Sequence, residues 1–284
     1  MLYETESYKL LLGDNRKIVK ELTDESIGLS VFSPPYFGVQ EINYDTAEGN
    51  IEYSATWDLY CLSLRDLIES LYDKLVPGGR LCINIDDKYQ AQTKGRGNIC
   101  LHTHARLIEY AYARGYDYKG NIMWRKIRNA NASGGSGMMF GTYPHPAEIP
   151  IVTQYEYILV FRKPGKREVP AEIREASIVP KSIFASLAEG IWNINGVSDK
   201  EHPAVFPPQI PSRLINLFSF VGDIVLDPFC GVGTTGVSAL TLNRKFLGID
   251  ISKKYLEVAN ERLSRPVMVL ESPNIKGRNV KLIN

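Results

Sequence analysis

The stretch that most narrows the possible folds is Asp223-Ile-Val-Leu-Asp-Pro-Phe-Cys-Gly-Val-Gly-Thr-Thr-Gly236. A short apolar run gives way to turn formers, and Gly231, Gly233 and Gly236 follow at GxGxxG spacing. The pattern reads as a buried strand, a tight turn and the start of a helix. The next apolar run, Phe246 to Ile249, ends on Asp250, about twenty residues past the first glycine, where an acid can pair with ribose hydroxyls. No Lys follows Gly236, so this is not a phosphate-cradling loop. Asp227 narrows the ligand further. A carboxylate at the strand end repels a pyrophosphate approaching the helix N-terminus, whereas it welcomes a cation. The candidate cofactor-binding residues are therefore Asp227, Pro228, Phe229, Gly231, Gly233, Thr234, Thr235 and Asp250. A purely structural glycine turn with a helix-capping Asp is the alternative.

The rest of the chain alternates strand-like and helix-like patterns. Strands are expected over 8–12, 27–32, 80–85, 121–126, 155–161, 224–226 and 246–249, that at 155–161 as the return of a hairpin. Helices are expected after Asp14, over 59–75 closed by Pro77-Gly78-Gly79, over 99–114 ended by Gly115, over 212–220, after Gly231, and over 252–263. Ser133-Gly-Gly-Ser-Gly137 reads as a loop, and 163–192 shows no clear register with a sheet. The fold class is α/β: an open, mostly parallel, doubly wound sheet with a small insertion at 164–196 between segments 1–163 and 197–284.

Composition excludes several other classes. With 44% hydrophobic and 23% charged residues the chain has the makings of a full core, and no apolar run approaches the roughly 20 residues a membrane span needs. The first residues lack a basic, hydrophobic signal, so a cytoplasmic location is expected. Cys61, Cys82, Cys100 and Cys230 form no CxxC pair, and His102 and His104 would face different sides of a helix, so no metal is expected. Asp86-Asp87 fits either a solvated turn or the rim of a crevice.

A second motif, Ser33-Pro34-Pro35-Tyr36, also stands at the end of an apolar strand. In an open α/β sheet such ends share one crevice, however far apart they lie in sequence. The residues suit an amino group conjugated to an aromatic ring. The Ser33 hydroxyl and the Pro34 carbonyl can accept its N–H groups and draw the nitrogen toward a pyramidal, nucleophilic geometry. Two prolines stiffen the loop, and Tyr36 offers a stacking surface for an extruded base. Ser33, Pro34, Pro35 and Tyr36 are the candidate catalytic residues.

Together the two blocks resemble the amino-methylating DNA methyltransferases in their permuted, β-group order, catalytic block first and cofactor block last. Leu12-Gly13-Asp14, Trp124-Arg125-Lys126, Tyr155 through Lys163, and His202-Pro203 through Phe206-Pro207 to Arg213 extend the resemblance over nearly the whole chain. It implies S-adenosylmethionine as cofactor, whose ammonium and sulfonium, without phosphate, suit Asp227. It also implies a catalytic half (1–163), a target-recognition insertion (164–196) and a cofactor-binding half (197–284). Ser in the first motif position is characteristic of cytosine-N4 members, whereas adenine-N6 members usually carry Asp. C5 methylation is disfavoured, because no cysteine here follows a proline.

Duplex DNA is the expected partner, gripped through phosphates. The balance of 33 basic against 32 acidic residues hides two basic stretches: Lys119, Arg125, Lys126 and Arg128, then Arg162, Lys163, Lys166 and Arg167. Both border the insertion and are the candidate DNA-binding residues. A homodimer and a cognate restriction endonuclease are further expected partners. A dehydrogenase would explain the glycines and Asp250 but leaves Asp227 and Ser33–Tyr36 without a role, and a non-catalytic nucleic-acid reader needs no cofactor pocket.

Overall fold

The computed structural model describes residues 1–38, 51, 54–90, 99–126, 145, 153–196 and 207–265. Its elements run β1 (Tyr3–Glu4), β2 (Tyr8–Leu12), α1 (Asn15–Glu21), β3 (Ile27–Phe32), α2 (Trp57–Lys74), β4 (Leu75–Ile85), β5 (Lys88–Gln90), β6 (Ile99–Leu101), α3 (Thr103–Arg114), β7 (Asp117–Lys126) and β8 (Tyr155–Arg162). Then follow α4 (Ala171–Ala176), α5 (Lys181–Leu187), β9 (Ile191–Ile194), α6 (Gln209–Phe218), β10 (Ile224–Asp227), α7 (Thr234–Thr241), β11 (Lys245–Asp250) and α8 (Lys253–Ser264). Among the described residues nine strands form one sheet in the order β1-β2-β11-β10-β3-β4-β8-β7-β9. Only β1 and β8 run against the rest.

Side chains alternate between the two faces of the sheet, as a strand's period of two requires. Leu81, Ile83, Ile85, Leu226 and Ile249 pack with Val19 of α1, Leu64, Leu67 and Leu71 of α2 and Leu107 of α3. Leu29, Val31, Cys82, Val225 and Phe246 pack on the other face with Leu214 of α6, Ala239 of α7 and Leu256 of α8. Each fully buried aliphatic chain contributes roughly 1.5–3 kcal/mol. α2 shows why a helix forms where it does. The Thr56 hydroxyl accepts the Leu59 N–H at 3.2 Å, and Tyr60, Leu64, Leu67, Ile68 and Leu71 make one buried stripe.

β3 leads through α2 to β4 on one side, while β10 leads through α7 to β11 on the other. Strand order therefore reverses between β3 and β10, which pair in parallel at Val225↔Leu29 and Leu226↔Ser30. Ligands of open α/β sheets bind beyond the carboxyl ends of strands at such a switch point.

The expected elements recur, with three corrections. Residues 99–101 form β6 rather than the start of a helix, because the helix begins only after His102 at its N-cap position. Pro77-Gly78-Gly79 does not separate α2 from a later strand: β4 starts at Leu75 and absorbs the glycines as an irregularity in its pairing with β3 between Ile27 and Leu29. Gly79 is needed there, since a Cβ would stand 2.9 Å from the Val76 carbonyl oxygen. The 163–192 region does engage the sheet, through β9, which pairs with β7 from Met123↔Ile191 to Lys126↔Ile194. No helix among the described residues is long and apolar enough to cross a membrane.

Candidate active site

The acid-and-glycine turn is built at the carboxyl ends of β10 and β11. The Asp227 side chain is 5% exposed and accepts the Thr235 hydroxyl at 2.6 Å and the Phe229 N–H at 3.0 Å. Burial pushes its carboxyl up to about 7, against the two hydrogen bonds. Asp250 accepts the N–H groups of Gly231 at 2.8 Å and Ser252 at 2.9 Å, and burial pushes it up to about 6. Among the described residues neither acid has a cationic partner within ion-pair distance. Two buried acids left without a cation fit a positively charged, ribose-bearing ligand.

The glycines divide their work. Gly231 and Gly233 have φ of 49° and 78°, so the turn itself is left-handed there. Gly236 serves packing, since a Cβ would lie 2.6 Å from the Phe246 ring. Arg262 of α8 donates to the Val232 carbonyl at 2.7 Å and the Thr234 hydroxyl at 3.3 Å, bracing the turn from outside. Buried Asn15, at the start of α1, donates to the Pro228 carbonyl at 2.7 Å. Cys230 is buried beneath the turn, its N–H bonded to the Ile249 carbonyl.

The Ser-Pro-Pro-Tyr loop follows β3. Phe32 and Phe229 meet at a centroid distance of 5.5 Å and join the two halves at the switch point. The Ser33 hydroxyl is placed to donate to Tyr36 Oη at 3.4 Å, and the Tyr36 hydroxyl donates to Glu156 Oε2 at 2.7 Å. Asn84 Nδ2 lies 2.7 Å from Glu156 Oε2, 3.0 Å from Tyr36 Oη and 3.3 Å from Ser33 Oγ. Lys126 pairs with the other oxygen of Glu156. Burial, and then the Glu156 charge, raise the Tyr36 phenol well above its ordinary range, so it stays a neutral donor. Lys88 Nζ sits 5.0 Å from the Tyr36 ring centroid and 3.3 Å from Asp86 Oδ2.

Asp86-Asp87 is not a solvated turn. Burial raises the Asp86 carboxyl, and its Oδ1, like Asn84 Oδ1, is buried without a hydrogen-bond partner among the described residues. Asp87 accepts the His104 backbone N–H at 3.1 Å and sits 2.6 Å from His104 Nδ1, while the His104 ring stacks on Tyr157 at 4.0 Å. His102 instead sets its ring edge against Trp57.

The two basic stretches part company. β8 is antiparallel to β4, with Tyr157 level with Ile85 at the carboxyl end and Arg162 level with Arg80 at the amino end. Arg125 is exposed at the carboxyl edge beside the site, and Lys126 turns inward to Glu156. Lys119, exposed, and Arg162 lie at the far edge. There Arg162 pairs with Asp117 at 3.3 Å, Lys163 with Glu25 at 3.1 Å and Arg167 with Asp223 at 2.5 Å, and Lys166 is exposed near Gly78. Both stretches border the insertion in sequence, but the course of β7 and β8 sets Arg125 and Lys126 at the edge opposite to Lys119, Arg162, Lys163, Lys166 and Arg167. Arg128 lies outside the described residues, as does His202 through Phe206.

Sequence reading missed Asn15, Asn84 and Glu156. A signal existed for the last two: each is a lone polar residue in an apolar strand, Asn84 between Ile83 and Ile85 and Glu156 between two tyrosines, close to the carboxyl edge.

A doubly wound sheet whose switch point joins an acid-and-glycine cofactor turn to a Ser-Pro-Pro-Tyr loop defines the class of α/β methyltransferases acting on amino groups. The chain belongs to the DNA methylase family of N6/N4 type, whose model matches residues 27–261. It is 34% identical over 290 residues to the type II methyltransferase M.MjaI of Methanocaldococcus jannaschii, covering 91% of this chain and 92% of that one. A Thermus thermophilus protein assigned as a DNA modification methylase, crystallised in complex with S-adenosyl-L-methionine, superimposes with a TM-score of 0.73 at 33% identity, over 94% of this chain and 95% of that one. The cytosine-N4-specific PvuII DNA methyltransferase shares the fold at 20% identity, with a TM-score of 0.66 over 92% of this chain and 88% of that one.

Proposed function

We propose that this DNA methylase transfers a methyl group from S-adenosylmethionine to the exocyclic N4 amine of a cytosine swung out of duplex DNA, in a restriction-modification setting. The observation that carries the reading is the direction of the hydrogen bonds at Ser33. Its proton is directed to Tyr36 Oη and Asn84 Nδ2 donates to one Oγ lone pair, which leaves the other to accept an N–H in the crevice that Asp227 and Asp250 share. The similar M.MjaI is a type II methyltransferase, and the similar Thermus thermophilus protein was crystallised with S-adenosyl-L-methionine, which supports the setting and the cofactor.

When bound, S-adenosylmethionine supplies the electrophilic sulfonium methyl. Asp227 would face its ammonium and Asp250 its ribose hydroxyls, with Gly231 and Gly233 leaving room for close backbone approach. Ser33 Oγ and the Pro34 carbonyl accept the amine protons and hold the nitrogen lone pair toward the methyl. Tyr36 stacks on the base. Placement is the principal work of the site, and such alignment supplies roughly 7–11 kcal/mol of the barrier. Segments 1–163 and 197–284 act as catalytic and cofactor halves, with 164–196 as the recognition region. Ser in the first motif position favours cytosine over adenine by family resemblance. A homodimer and a cognate endonuclease complete the reading.

The test is digestion of DNA treated with the protein to nucleosides, followed by mass spectrometry. N4-methylcytosine is the expected product. N6-methyladenine would move the assignment to the other amine, and neither product would refute methylation of an exocyclic amine altogether.

A further inference from the structure

Ser33 can accept an amine proton only if its own proton points elsewhere, and residues distant from the motif in sequence decide that. Tyr36 Oη can either donate to Ser33 or accept from it, since a phenol has one proton. Glu156 is 3% exposed, and its carboxylate can only accept. It takes the Tyr36 proton at 2.7 Å, which leaves Tyr36 Oη as an acceptor toward Ser33 at 3.4 Å. Asn84 works in the same sense. Its Nδ2 group, 2% exposed as a residue, reaches Glu156 Oε2, Tyr36 Oη and Ser33 Oγ, so every hydrogen bond it contributes is a donation toward the acceptors of the chain. Lys126, the last described residue of β7 before the link to β8, compensates the buried carboxylate.

We propose that Glu156 is a positioning residue that sets the polarity of a hydrogen-bond chain running Ser33 to Tyr36 to Glu156, so that Ser33 meets the substrate amine as an acceptor. Lys126 fixes which oxygen of Glu156 faces Tyr36. The inference rests on the amine-methyltransferase reading of this site and goes beyond it in assigning residues outside the Ser-Pro-Pro-Tyr motif.

Substitutions along this hydrogen-bond chain should have unequal consequences. In Glu156→Gln the ammonium of Lys126 attracts the amide oxygen, so the amide NH2 turns to Tyr36. Tyr36 then accepts, donates its own proton to Ser33, and Ser33 presents a hydrogen to the substrate. This near-isosteric change should lower kcat about 100-fold, the scale of a misplaced reacting group, with the dissociation constant for S-adenosylmethionine within about twofold of wild type. Adding Lys126→Met frees the amide to turn its oxygen to Tyr36 and should recover part of kcat. Tyr36→Phe keeps the ring but removes the link, and combining it with Glu156→Ala should cost no more than the worse single change.

The cycle is measured by transfer of labelled methyl to unmodified DNA, alongside calorimetry with S-adenosylmethionine. A Glu156→Gln enzyme with wild-type kcat overturns the proposal, as do losses from Tyr36→Phe and Glu156→Ala that multiply. A second readout does not depend on turnover. In fluorotyrosine-labelled protein, the resonance abolished by Tyr36→Phe identifies Tyr36, and Glu156→Gln should shift it; an unmoved resonance overturns the proposal even if the wild-type protein methylates nothing. Absence of methylation by wild type, with the resonance shift present, instead removes the functional reading and leaves the hydrogen-bond chain standing.

Discussion

Cofactor affinity should depend on pH in a range where ordinary aspartates do not titrate. Asp227 is held at about 7 and Asp250 at about 6 in the ligand-free protein, in both cases mainly by burial. A cationic ligand at Asp227 needs the carboxylate, so the apparent affinity scales with the ionised fraction. For a group at about 7, that fraction is ~3% at about pH 5.5 and one half at about pH 7, a gain of about 15-fold. Asp250 adds a further factor of about 4 if its ribose contact also needs the charge. The dissociation constant for S-adenosylmethionine should therefore fall about 15- to 60-fold over that interval. Calorimetry in two buffers of different ionisation enthalpy, near pH 6, should report release of about one proton per ligand bound. Asp227→Asn should flatten most of the slope and weaken binding about 10- to 100-fold at neutral pH, the cost of losing a charged hydrogen-bond partner. A dissociation constant that stays level from about pH 5.5 to 7, with no proton released, would refute the reasoning.

The same shift fixes the sign of a stability effect. The Asp227 carboxyl is raised in the folded state from an ordinary value of 3.8, so the folded protein holds a proton that the unfolded chain has lost. Stability is fully present below the unfolded value and declines as pH rises to about 7. The loss is of the order of 4 kcal/mol, and Asp227→Asn, which cannot ionise but accepts one hydrogen bond fewer, should recover about 2–3 kcal/mol in urea unfolding of the ligand-free protein at pH above about 7. Loss of stability on this substitution would contradict the burial argument.

Ser33→Ala should lower turnover while leaving S-adenosylmethionine affinity near wild type, and Asp250→Ala should chiefly weaken that affinity; full turnover in both Ser33→Ala and Tyr36→Ala would remove the catalytic assignment. Gly236→Ala places a methyl against the Phe246 ring and should cost roughly 1–3 kcal/mol in denaturant unfolding, and an unchanged midpoint would show that α7 can move aside. Arg125→Gln should weaken DNA binding and reduce the slope of log affinity against log salt by about 1, whereas Arg162→Gln, at the far edge, should leave the slope alone. Equal effects of the two would place DNA on both edges of the sheet.

What the sequence disclosed depends on whether a feature is written locally. The strand, turn and helix around Gly231 are specified by neighbours in sequence, and so are the apolar runs of β3 and β10; both were legible. The helix start at Thr103 was not, because Ile99-Cys100-Leu101 is as apolar as the helix it precedes, and only pairing with β5 makes it a strand. Asn15 was beyond reach for a different reason. Its partner, the Pro228 carbonyl, is 213 positions away, and nothing in an Asp-Asn-Arg helix start marks a side chain as buried against a distant loop.

Net charge shows the same limit at the scale of the whole chain. The near-equality of 33 bases and 32 acids says nothing about where they go, and the sheet sorts them by edge. At the amino edge Arg162, Lys163 and Arg167 are matched by Asp117, Glu25 and Asp223, a fastening between strand ends and loops that takes up the charge of these three bases. At the carboxyl edge the imbalance runs the other way. Glu156 has Lys126 and Asp86 has Lys88, but Asp227 and Asp250 have no cation among the described residues. A surplus of buried acid beside the surface proposed to take DNA would repel phosphate if left open. A cofactor that brings positive charge into this crevice offsets that surplus, so occupancy by S-adenosylmethionine should itself strengthen DNA binding, and by linkage DNA should strengthen cofactor binding by the same factor.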